Sequence, residues 1–80
     1  MAECRIKVLL PTGQPAKRSF VTLAYYGFGS GYSDEHPTDE NGCATIKNPQ
    51  PGLADVLVNG VILRRRVVIG DGAEYQVTLQ

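Results

Sequence analysis

The sequence predicts an all-β protein, a single small β-sandwich of six or seven short strands. Three observations carry that expectation. Alternating apolar and polar residues recur along the chain. Gly, Pro and Asn-Gly punctuate them at short intervals. No segment repeats apolar residues at i, i+3 and i+4 as an amphipathic helix does.

The elements follow in order. Glu3 to Leu10 alternates, with Cys4, Ile6, Val8 and Leu10 on one face and Arg5 and Lys7 on the other, the period of a half-buried strand. Pro11-Thr-Gly-Gln-Pro15 interrupts pairing, because proline fixes φ and lacks a ladder donor. Arg18 to Tyr26 is rich in β-branched and aromatic residues and predicts a second strand with Val21, Leu23 and Tyr25 together. Gly27 to Pro37 breaks every period and reads as a long loop, with or without a short irregular strand. Thr38 to Gly42 supplies a turn, and Cys43 to Asn48 a short strand with Ala44 and Ile46 inward. Pro49-Gln-Pro-Gly52 is another break. Leu53 to Val58 and Val61 to Ile69 flank Asn59-Gly60, the pattern of a type I′ hairpin. Gly70-Asp-Gly72 turns the chain into Glu74 to Gln80, where Tyr75, Val77 and Leu79 share a face.

Length and charge narrow the function. Eighty residues allow one domain, residues 1–80, with one modest core. A large enclosed cofactor site does not fit, and no cofactor is expected. Eight basic residues balance eight acidic ones, so the basic excess that drives nucleic-acid and anionic-membrane binding is missing. No apolar run reaches the ~18–20 residues of a membrane span. The N-terminus lacks a basic stretch followed by an apolar one, which predicts a cytoplasmic location unless the chain is a fragment of an exported protein.

Three stretches together resemble the carboxypeptidase regulatory-like modules of the transthyretin-like (prealbumin-like) superfamily. They are Gly13-Gln-Pro15 followed by Val21-Thr-Leu23, Thr38 to Gly42 leading into Ala44-Thr-Ile46, and Pro51-Gly52 leading into Ala54 to Val58, with Tyr75 to Leu79 closing the chain. Two positions depart from the pattern: Lys17-Arg18-Ser19 replaces the glycine before the second strand, and Ala44 stands where a large aromatic is common. The resemblance implies a Greek-key sandwich, transthyretin-like or Ig-like, serving as a non-catalytic accessory module. Enzymatic and self-crosslinking relatives of that fold do not match. The several histidines and C-terminal Tyr-Arg-Gly-Ser of hydroxyisourate hydrolases are missing, and no Asn lies in Glu74 to Gln80 to pair with Lys7 in an isopeptide.

The remaining candidates are few. Cys4 and Cys43 read as a small buried hydrophobe and a strand thiol, or as a bridge if the compartment is oxidising and the Cα atoms lie within ~7 Å. Asp34, Glu35, His36 and Asp39 form an acidic loop that is either simply solvated or a weak divalent-metal site. Tyr26, Phe28 and Tyr32 surround a glycine-rich loop. Their rings either fold back over the sandwich edge or stand out as anchors for a protein or sugar. Arg64-Arg65-Arg66 lies within a strand, where Arg65 conflicts with an inner face built from Leu63, Val67 and Ile69 unless a bulge, the sheet's end or a partner resolves it. Arg64 and Arg66 then either discourage edge aggregation or meet an acidic partner or RNA. No acid, base and nucleophile assemble, so no enzyme is expected. The expected function is protein–protein contact, to a partner or parent assembly or to a second copy through an edge strand. The alternative is a carbohydrate or metal-ion module at the Gly27–Asp39 loop.

Overall fold

The computed structural model describes residues 3–27 and 31–80. It contains strands β1 (Glu3–Leu9), β2 (Phe20–Tyr25), β3 (Gly31–Tyr32), β4 (His36–Pro37), β5 (Cys43–Lys47), β6 (Gly52–Val58), β7 (Val61–Ile69) and β8 (Glu74–Thr78), and no helix among the described residues. Eight strands replace the expected six or seven. The two extra ones are two-residue segments of the Gly27–Pro37 stretch. Ser33 ties them to one edge of β2, its N–H donating to the Leu23 carbonyl at 2.8 Å and its hydroxyl accepting from the Leu23 N–H at 2.9 Å.

The strands form two sheets. In the first, β1 is central, with β5 antiparallel on one side and β8 parallel on the other. In the second, the order is β3-β2-β6-β7, with β4 also on β2. The inward sets of both sheets meet in one core: Cys4, Ile6, Val8, Ala44, Ile46 and Val77 from the first, and Val21, Leu23, Ala54, Val56, Val58, Val67 and Ile69 from the second. The faces expected for β1, β2 and β5 hold, that of β7 holds only at Val67 and Ile69, with Val61 and Arg65 exposed, and the two-sheet arrangement is compatible with a β-sandwich.

The turns show how sequence sets geometry. Asn59 (φ 52°) and Gly60 (φ 84°) take the positive φ of a type I′ turn. The Asn59 side chain then accepts the Phe20 N–H at 3.0 Å, docking the hairpin on β2. Gly42 is irreplaceable for a different reason. At φ 76° a Cβ there would stand 2.5 Å from the Val8 carbonyl oxygen. Arg18, in the segment where the resembling modules carry glycine, itself adopts φ 57°.

Cys4 and Cys43 are both free thiols. Cys4 faces the core opposite Ile46, whereas Cys43 pairs with Lys7, three positions farther along β1 and on its other side. That separation is about 10 Å along the strand, which removes the bridge alternative. Burial pushes the Cys4 thiol above its ordinary range.

Candidate interaction surface

The arginine conflict resolves through bulges. The β6–β7 register is Val58 to Val61 and Leu57 to Ile62, then Val56 to Arg64, then Ala54 to Val67. Leu63 is therefore an extra residue, and Arg65 and Arg66 together oppose Asp55. Arg66 sits at φ 55°. Each extra residue shifts the alternation, so Val67 and Ile69 return to the core without an arginine beside them.

Asp55 holds this irregularity in place. Asp55 is 7% exposed, and its carboxylate accepts the Arg66 N–H at 3.1 Å and the Tyr26 hydroxyl at 2.5 Å. Those bonds, the Tyr26 one foremost, hold its carboxyl below the usual aspartate range, with the Arg65 and Arg66 charges assisting. Donation to Asp55 correspondingly raises the Tyr26 hydroxyl above the ordinary tyrosine value, while Arg66 pulls it the other way. The Arg66 guanidinium lies over the Tyr26 ring, 5.9 Å from its centroid.

On either side of this cluster, the solvent side of the second sheet carries apolar rows. Thr22, Leu57 and Ile62 are register partners at one end, with Phe20 beyond Thr22. Tyr32, Ala24 and Asp55 form the middle row. Leu53 and Val68 pair at the far end, where the Tyr26 N–H donates to the Leu53 carbonyl at 3.0 Å. Tyr32 is 76% exposed, Val68 63% and Leu53 43%. Single exposed hydrophobic residues are ordinary, but neighbours in register on one sheet face make a contiguous patch.

The expected contact residues divide accordingly. Tyr26, Tyr32 and Arg66 come together on this face. Arg64 does not: it lies over the Tyr75 ring at 5.6 Å, on the side of β7 that turns toward β8. Phe28 lies outside the described residues. Phe20, Leu53, Ile62 and Val68 were not among the candidates, although the largely apolar character of the second and sixth strands and of both ends of the seventh is the signal of sheets covered on both faces.

The acidic loop is not gathered in this way. Asp34 and Glu35 are exposed, and His36 pairs with Val21 at the β2 edge. Asp39 accepts the backbone N–H groups of Asn41 at 2.8 Å and Cys43 at 3.0 Å. The Cys43 bond is the main reason its carboxyl sits below the ordinary range. Asp39 therefore builds the turn into β5. Among the described residues no three His, Cys, Asp or Glu side chains come together as a metal-ligand group.

No protein-family model matches the chain, and a search of curated proteins finds no match. The reading of its function rests on the site itself.

Proposed function

We propose that this chain is a non-catalytic accessory module that works through protein–protein contact, and that the outer face of the five-stranded sheet is its contact surface. The observation that carries the reading is the apolar patch of Leu53, Val68, Ile62, Phe20 and Tyr32 on a sheet face where an isolated domain places polar residues. The finer fold reading belongs to the same proposal. A Greek-key, transthyretin-like sandwich is supported by parallel pairing of the first and last strands and by connections that cross between sheets, with β6–β7 the one long hairpin.

The free edge of β7 is poorly suited to pairing with a second copy. Its two register shifts break the ladder, and the Tyr75 hydroxyl donates to the Val68 carbonyl at 2.6 Å. Bulges and charge on a long edge strand are the usual guards against such pairing.

A photo-crosslinking side chain placed at Val68, and in a second variant at Thr45 on the opposite outer face, tests the reading inside producing cells. Discrete protein adducts are expected from the Val68 position and none from Thr45. Adducts of equal yield from both positions, or none from Val68, would overturn it.

A further inference from the structure

The same face carries information about the chemistry of its partner; the inference rests on the contact reading above. Asp55 is the carboxylate in its middle row, and both of its described bonds are internal, to Tyr26 and to the Arg66 backbone. Its charge therefore serves the fold. Arg65 and Arg66 are exposed beside it, which leaves the middle of an apolar patch with an excess of positive charge. The ion pair found among the described residues is Arg5 with Glu74, on the other sheet. Among the described residues neither Arg65 nor Arg66 forms such an ion pair, although both charges act on the one carboxylate of Asp55.

Arg66 is also partly ordered before any partner arrives, since its guanidinium rests on the Tyr26 ring. A planar fork held on an aromatic ring keeps donors directed outward and loses less freedom on pairing than an unrestrained side chain. Asp55 offsets one of the two arginine charges, so a wholly apolar partner would bury a net positive charge, at a large desolvation cost. A second copy docked by the same face would bring its own arginines against these, because residues near a two-fold axis meet themselves, and Asp55 is already engaged. Charge complementarity therefore selects a partner that brings an acid.

We propose that the outer face of the five-stranded sheet binds a protein segment presenting an Asp or Glu carboxylate to Arg66, with apolar side chains to either side seated on Leu53 and Val68 and on Leu57 and Ile62. Leu53 and Leu57 flank Asp55 two residues away along β6, so the apolar groups lie about 7 Å on each side of the acid.

The test is selection of phage-displayed random peptides on the full chain. Affinities of the synthesised winners are then measured against wild type, Arg66→Gln, Val68→Asp and Thr45→Asp, each first confirmed folded by its melting curve. Arg66→Gln retains the backbone N–H bonded to Asp55, so it tests the charge separately from the bulge. The expected winners carry an acid between apolar residues, lose about tenfold or more in affinity with Arg66→Gln and with Val68→Asp, and bind Thr45→Asp as they bind wild type. Winners without an acid that still depend on Val68 would overturn the partner chemistry and leave the contact face standing. Winners indifferent to Val68, or no winners, would count against both. Tight binding of a fluorescent single-stranded RNA that is lost with Arg66→Gln, or a dimer in sedimentation that is lost with Val68→Asp, would also overturn the proposal, by assigning the face to a nucleic acid or to a second copy.

Discussion

The two outer faces of this protein obey different rules, although the inner faces behind them are built alike. On the three-stranded sheet, Arg5, Lys7, Thr45, Lys47, Glu74 and Gln76 point to solvent, and an exposed Arg5–Glu74 pair at 3.8 Å crosses from β1 to β8. That is the alternation of a sheet with one wet side. On the five-stranded sheet, the solvent side carries Phe20, Leu53, Ile62, Val68 and Tyr32, and its carboxylate Asp55 is turned to holding a bulge. A strand that hides its inward residues needs no apolar residues outside, so the second face asks for an explanation beyond folding. The proposed contact would supply one.

The comparison breaks first if the inner faces are not equivalent. Ile6 in the three-stranded sheet and Leu23 in the five-stranded sheet are both fully buried. Ile6→Ala and Leu23→Ala should each lower unfolding free energy by about 2–5 kcal/mol, the range for emptying a packed aliphatic site. Urea denaturation of both variants measures this. A loss well under 1 kcal/mol in either one would mean that its sheet does not share the common core.

A smaller effect is expected where the two sheets are laced together. Thr38 is buried between β4 and β5, donates to the Ala16 carbonyl at 2.6 Å and accepts the Ser19 N–H at 3.0 Å. Thr38→Val keeps the shape and strands both backbone groups, for a loss of about 1–3 kcal/mol. Thermal melts at neutral pH, with Thr45→Val on the outer face as reference, would show it. A change no larger than that of the reference would mean that water replaces the hydroxyl.

Much of this was legible in the residues. The alternation of Glu3 to Leu10 and the Asn59-Gly60 pair specify a strand and a hairpin by local physics, and both stand as expected. Two things were not legible. Leu53 to Val58 is apolar at nearly every position, so its alternation does not declare which residues are surplus to the core until the register with β2 and β7 is known. Arg65 announced a conflict, but nothing in an arginine prefers φ 55°, and where the bulge falls depends on Asp55 across the strand pair. The acidic loop misled for a related reason. Proximity in sequence says nothing of whether a carboxylate such as Asp39 is already occupied by backbone donors.

Acid sharpens the comparison, because each sheet has a carboxylate whose hydrogen bonds lower its pKa: Asp39 at the turn into β5 and Asp55 opposite the β7 bulge. Both have folded-state pKa values below the unfolded value. The unfolded chain therefore takes up their protons first, and the stability they contribute is present above the ordinary aspartate range, near pH 4, and is lost as pH falls through it and below. Melting temperature should hold from neutral pH to about 5 and then decline. Asp39→Asn and Asp55→Asn should each flatten part of that decline. An acid limb unchanged in both variants would place its origin elsewhere.

The smallest stability effect bears most directly on function. Val68→Thr and Leu53→Thr replace exposed apolar surface on the five-stranded sheet with a β-branched polar residue suited to a strand. If that surface is spare, each change should move unfolding free energy by no more than about 0.5 kcal/mol and shorten retention on a hydrophobic-interaction column. The mirror change Thr45→Val, on the other outer face, should lengthen retention at equally little energetic consequence. A Val68→Thr loss comparable with that of Leu23→Ala would show that Val68 is packed by the fold, and the asymmetry between the faces would then be structural. Near-neutral stability with altered retention would mean that folding does not require these side chains to be apolar. That outcome would support the proposed contact surface, because residues in register around an arginine resting on a tyrosine ring would then be apolar without serving the fold.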